Sequence, residues 1–131
     1  MAATAKLNSL NGNRMFNLPV NMHLNGEGIV NVFHEGDEDE SISAGYLVAI
    51  ELHQWKRDDV HRCFHHDRVV LSVERPNGCV DELLIEEPEA DRLFYGIKNY
   101  AQAHGIEFDD ICGCLHYGDS PDSYKSWYDV F

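Results

Sequence analysis

From Phe16 the chain alternates apolar and polar side chains one for one. Phe16, Leu18, Val20, Met22 and Leu24 fall on one face, and Asn17, Pro19, Asn21 and His23 on the other. A period of two predicts a half-buried β-strand. Pro19 has no N–H to give to a central ladder, so this strand is expected at a sheet edge. Asn25-Gly26-Glu27-Gly28 reads as a turn and Ile29 to His34 as a second strand. Gly45 to His53 predicts a third, with Tyr46, Val48, Ile50 and Leu52 inward and Leu47, Ala49, Glu51 and His53 on the opposite face. Gln54 to Asp67 mixes the two periods and is expected to be a short helix or an irregular connection.

Arg68 to Glu86 contains two β-rich runs joined by Pro76-Asn77-Gly78. Proline suits the first central position of a type I turn and glycine the left-handed position after it, which predicts a three-residue hairpin loop closed by Arg75 and Cys79. In that register Leu71 faces Leu83, Val69 faces Ile85 and Arg68 faces Glu86; a two-residue loop would set Val69 against Glu86 and mix the faces. Pro88 with Glu89 and Asp91 then marks a helix start. Leu93, Phe94, Ile97, Tyr100, Ala101 and His104 form one stripe, and Gly105 closes the helix. Ile111 to Tyr117 reads as a last strand, and Ser120-Pro121 as the cap of a short terminal helix. Together these elements predict an α+β fold, a mostly antiparallel sheet of five or six strands with one long helix, about 88–104, and a short C-terminal helix packed on it. The small, polar, Asn-rich residues 1–13 are expected to be a flexible tail ahead of a single domain over 14–131.

Charge changes this picture from a generic domain to one with a preferred kind of partner. The 131 residues carry 23 Asp and Glu against 10 Lys and Arg, a formal charge of −13. A field of that sign repels nucleic acid phosphates and anionic membranes and attracts basic surfaces, so neither direct nucleic-acid nor lipid binding is expected. The apolar fraction of 44% is ordinary for a packed core, so the acidity belongs to a folded domain rather than a disordered one. With no signal-like apolar run near Met1 the chain is expected to be cytoplasmic, and its four cysteines to be reduced.

The acids are not evenly spread. Residues 76–131 hold 12 of them against Arg92, Lys98 and Lys125. Within this half, Asp81, Glu82, Glu86, Glu87, Glu89 and Asp91 follow one hairpin arm and the helix start, where strand spacing of about 7 Å between same-face side chains sets carboxylates in a row. Such a row can imitate the regular anions of a nucleic acid backbone. The function expected is therefore an acidic, non-enzymatic binding protein that inhibits a basic, nucleic-acid-processing partner such as a nuclease, as a nucleic-acid mimic would. In composition, though through no motif, the chain resembles bacteriophage anti-defence proteins, including those directed at CRISPR effectors, and bacterial immunity proteins. Tyr124, Trp127 and Tyr128 lie among Asp122 and Asp129 near the C-terminus and are expected to supply aromatic anchors for that partner. The plainer readings are that the acidity serves solubility alone and that the aromatic tail completes the core.

Two other classes are carried beside this one. His61, Cys63 and His65, and Cys112, Cys114 and His116, are triplets spaced by two, so on strands each would project from a single face and could contribute zinc ligands. His61, Cys63, Cys112 and Cys114 are thus the candidate set for a small zinc protein or metal-dependent enzyme, although no Cys-x2-Cys knuckle is present and no cofactor is expected. Glu51 and His53 share a strand face, but no phosphate loop, nucleophile elbow or zinc helix accompanies them, so no catalytic residue is assigned. The third class is a dimerisation or assembly module that uses the face from Tyr124 to Phe131.

Overall fold

The Pro76-Asn77-Gly78 loop fixes the first pair of strands. Gly78 adopts φ +87°, the Arg75 N–H donates to the Cys79 carbonyl at 2.8 Å, and the Gly78 N–H donates to the Arg75 carbonyl at 2.9 Å. The register that follows sets Arg68 against Glu86, Val69 against Ile85 and Leu71 against Leu83. These residues belong to strands that we number in chain order as β5 (His65–Glu74) and β6 (Val80–Glu86).

A computed structural model, which describes residues 1–10, 13–57 and 65–115, adds β1 (Ala2–Leu10), β2 (Asn13–Leu24), β3 (Ile29–His34) and β4 (Asp37–Arg57) before this hairpin, and α1 (Glu89–His104) and β7 (Glu107–Leu115) after it. Strands β1 to β6 pair antiparallel, each with the next, and β1 also pairs with β6, so the meander closes on itself. The protein is therefore mostly sheet: a closed six-stranded antiparallel barrel with one added strand and one helix. The expected α+β sheet under a long helix is corrected by this closure. A closed barrel is built from the same alternating strands as an open sheet, and only the β1–β6 pairing separates the two. The expected short C-terminal helix lies outside the described residues.

Three local differences have identifiable causes. Residues 2–10, expected to be part of a flexible tail, form a strand flanked on both sides, with Leu7 opposite Leu18 of β2 and Leu83 of β6. Its inward positions Ala3, Ala5 and Leu7 do alternate, but alanine is depleted in strands and gives a weak apolar signal. Strand β2 is not an edge strand. Pairing with β3 begins only at Val20, so Pro19 lies past the end of that ladder and opposite Lys6 alone. In β4 the expected inward face holds for Ile50 and Leu52, which are buried, and fails for Tyr46 and Val48, which are exposed. Between Leu47 and Ala49 the register with β5 shifts by one residue, and such a bulge transfers the inward role from the even positions to Leu47 and Gly45.

Strand β4 is long because it serves several neighbours. It pairs with β3 from Asp37 to Tyr46 and with β5 from Tyr46 to Trp55. From Ala49 to Arg57 it also pairs with β7, which runs parallel to it and takes up where β3 stops. At the changeover, a Cβ on Gly45 would stand 2.5 Å from the Glu74 carbonyl oxygen, so no side chain fits there without movement of the β5 backbone.

The helix supplies the last part of the core. Ala90, Leu93, Phe94, Ile97 and Ala101 are buried together with the barrel interior, and Gly105, in the left-handed region at φ 66°, ends it. It lies across one end of the barrel. Phe94 stacks on the His66 ring at 3.9 Å, and the Tyr100 hydroxyl donates to the Asn25 carbonyl between β2 and β3 at 2.9 Å. Among the described residues no helix is long and apolar enough to cross a membrane.

Candidate binding groove

On β6 the pleat divides the acidic band. Asp81, Leu83 and Ile85 point into the barrel and are fully buried, while Glu82 and Glu86 point out. Asp81 is therefore not a surface anion, a correction to its expected role as a partner contact. Its Oδ2 accepts hydrogen bonds from the Ser43 hydroxyl and, at 2.7 Å, from the Arg75 Nε. The inward parity that buries Leu83 and Ile85 carries Asp81 with them.

The other five carboxylates of the band remain at the surface, and four of them are held by partners. Glu86 bonds the Lys6 ammonium at 2.7 Å. Glu89 bonds Arg92 at 2.6 Å, an i,i+3 pair on the first helical turn. Asp91 lies 3.0 Å from the His66 Nδ1, and Glu82 accepts a hydrogen bond from the Asn8 side chain at 3.3 Å. Glu87, between the strand and the helix, is exposed.

Glu86, Glu87 and Glu89 of this strip border two adjoining depressions. The first, of about 300 Å³, lies between β1, the end of β6 and the helix start, where Glu35, Glu86, Glu87 and Glu89 surround Lys6. The second, of about 550 Å³, lies on the outer face of β1, β2 and β3. Strand register explains its floor. One cross-strand row is Thr4, Asn21 and Phe33, and the next is Ala2, His23 and Asn31. Short side chains on β1 and longer ones on β2 and β3 leave a concavity, with the half-buried Phe33 at one side and Glu89 at the other. Thr4 and Glu89 line both depressions, so the two adjoin along these residues. The carboxylates stand around Lys6 in the first depression, and the second is lined by Phe33, His23 and neutral hydrogen-bonding groups with Glu89 at its border.

The sequence points to the rim of this groove and misses its floor. Thr4, Asn21 and Phe33 come together only through β1–β2–β3 pairing, and residues 1–13 are not expected in the sheet at all. The Asn11-Gly12 dipeptide, lying between Leu10 and Asn13, is the two-residue hairpin signal that identifies this pairing. Tyr124, Trp127 and Tyr128 lie outside the described residues.

The remaining chemical candidates divide in the same way. His61 and Cys63 fall outside the described residues, and Cys112 and Cys114 occupy β7 opposite Gln54 and Lys56 of β4. Among the described residues no cluster of three or more His, Cys, Asp or Glu is placed to hold a metal ion. Glu51 and His53 do meet, with His53 Nε2 3.0 Å from Glu51 Oε2. Burial holds the His53 pKa below its ordinary 6.5, against the hydrogen bond and the charge of Glu51, which favour protonation; the nearby Arg68 charge adds to the lowering. A histidine with a depressed folded pKa binds fewer protons than it does unfolded, so it weakens the fold as pH falls through 6.5 and ceases to add to the loss below its folded pKa. Urea midpoints measured from neutral to acidic pH should therefore fall less steeply in His53→Gln than in the native chain. Parallel curves for the two proteins would exclude this contribution.

Fold and groove together define a small closed β-barrel with a carboxylate-rimmed groove on its outer wall. No family model, curated protein or solved structure matches the chain.

Proposed function

We propose that this protein is an acidic, non-enzymatic binding protein that occupies a basic surface on a nucleic-acid-processing partner and so inhibits it. The observation that carries this reading is the outward set of Glu82, Glu86, Glu87, Glu89 and Asp91 along β6 and the first turn of α1, of which Glu86, Glu87 and Glu89 border a depression. Carboxylates on a strand and on a helix start are held at fixed spacing by backbone structure, so they meet a preformed row of Lys and Arg without a large ordering cost. The formal charge of −13 adds long-range steering toward such a row. Inhibition follows from occupancy, since a groove filled by this protein is closed to phosphates.

Capture of partners from native lysate at low and at high salt tests the proposal. The proteins retained should be enriched in nucleic-acid-binding chains and should be released by salt. Joint Glu82→Lys and Glu87→Lys replacement reverses two surface charges and should weaken capture by roughly tenfold or more, about 1.4 kcal/mol. Retention that is indifferent to both salt and charge reversal would overturn the electrostatic mechanism.

A further inference from the structure

We infer that the depression on the outer wall of β1, β2 and β3 binds a neutral pyranose sugar, at a site separate from the outward carboxylates of β6. The observation behind it is a group of hydrogen-bonding side chains with nothing to bond, set beside an outward aromatic ring. Strand register lays the lining out as two cross-strand rows, Thr4, Asn21 and Phe33 in one and Ala2, His23 and Asn31 in the next. Neighbours stand about 5 Å apart across the strands and about 7 Å apart along them. Among the described residues no hydrogen bond engages the side chain of Thr4, Asn21, His23 or Asn31. Over this stretch β2 is paired on both sides, so the grid is held by the barrel wall rather than by loops, as a preformed site requires.

Charge and hydrogen-bond chemistry select the occupant. Glu89 is the one carboxylate among the described residues that line this depression, and Arg92 already engages it at 2.6 Å, so no uncompensated charge is left to hold a cation. The formal charge of −13 opposes an anion. A neutral occupant remains. An asparagine amide carries an acceptor and two donors, a threonine hydroxyl does both, and a neutral imidazole offers one of each. Sugar hydroxyls also donate and accept, so a ring that bears them around its edge meets this mixed set at several points at once. A pyranose has in addition a face of C–H bonds, and their partial positive charge suits the negative face of an aromatic ring such as that of Phe33. The depression, of about 550 Å³, falls within the size of ordinary small-molecule sites. A nucleobase could stack on Phe33 too, but in a nucleic acid it brings a phosphate that the protein's charge repels.

Amide-shift titration of the full chain with maltose, cellobiose, lactose and diacetylchitobiose tests this. At least one of these sugars should bind with a Kd on the order of 1 mM and move the signals of Thr4, Asn21, His23, Asn31 and Phe33. Sorbitol, a polyol without a ring, should bind roughly tenfold more weakly, because it has no flat C–H face. Phe33→Leu and, separately, Asn21→Ala should each weaken binding of the sugar by roughly tenfold at an unchanged urea midpoint. Both side chains stand on the outer wall, and if one variant unfolds the other carries the comparison. Binding of none of these sugars, or shifts centred instead on the exposed Tyr46, Val48 and Val80, would overturn the inference. Tighter binding of adenosine or of an arginine amide than of every sugar would also overturn it, by assigning the depression to a base or a cation. Capture of basic partners is independent of either result, since Glu82 and Glu87 do not line this depression.

Discussion

Asp81→Ala is expected to cost about 3–5 kcal/mol of stability, the range for leaving one member of a buried ion pair without its partner. Asp81 has no exposed surface, and the Arg75 side chain that donates to it is 18% exposed. Removing the carboxylate leaves a guanidinium at the barrel wall with water only on one side, and leaves the Ser43 hydroxyl without its acceptor. A domain of this size is typically stable by about 5–15 kcal/mol, so the loss is a large share of the whole. Urea unfolding reads it as a shift of midpoint at unchanged slope. Joint replacement by Asp81→Leu and Arg75→Met should recover much of the loss, because an apolar pair of similar volume needs no desolvation. A single mutant as stable as the native chain would show that this pair does not hold the barrel wall.

Phe94→Ala should cost a similar amount, about 3–5 kcal/mol. Phe94 is 1% exposed and sits among the barrel's own buried residues, with His66 stacked on one face and the Tyr95 ring edge-on at 5.3 Å. Truncation opens a cavity where the helix meets the barrel end, and neither the closed wall nor the helix can collapse into it without breaking pairing elsewhere. Thermal unfolding gives the size of the loss. Amide exchange locates it, since protection should fall along α1 more than in β1 and β2. Phe94→Leu, which fills most of the volume, should retain the greater part of the stability.

How far these residues could be foreseen depends on the range of the interaction that places them. The β5–β6 register, the helix stripe and its Gly105 stop are written in local chemistry, and the structure reproduces them except at the end of the stripe, where His104 is exposed. The inversion of Tyr46 and Val48 is not local, because the bulge at Leu47–Ala49 exists only against β5. The fold class fails for the same reason at larger scale. Nothing near Leu7 announces that it will face Leu83, and without that pairing the strands describe an open sheet. The candidate site divides along the same line. Glu82, Glu86, Glu87, Glu89 and Asp91 are legible as a cluster because they are neighbours in the chain, whereas Phe33 and Thr4 meet only through the barrel. Asp81 is the instructive case. It belongs to the acidic cluster by sequence and to the interior by parity, and the alternation that buries Leu83 was already sufficient to say so.

The pairing of β1 with β6 also sets an order of events during synthesis. Leu7 meets its β6 partner Leu83 only across a long stretch of chain, and contacts of such long sequence separation form late and slowly. Until β6 is made, β1 has β2 on one side and an open edge on the other. Thr4, Lys6 and Asn8 stand on that strand, and a lysine flanked by polar residues is the kind of edge that discourages pairing with other chains. The weak apolar character that makes β1 hard to find in the sequence is also the composition that disfavours edge-to-edge pairing of an unpartnered strand.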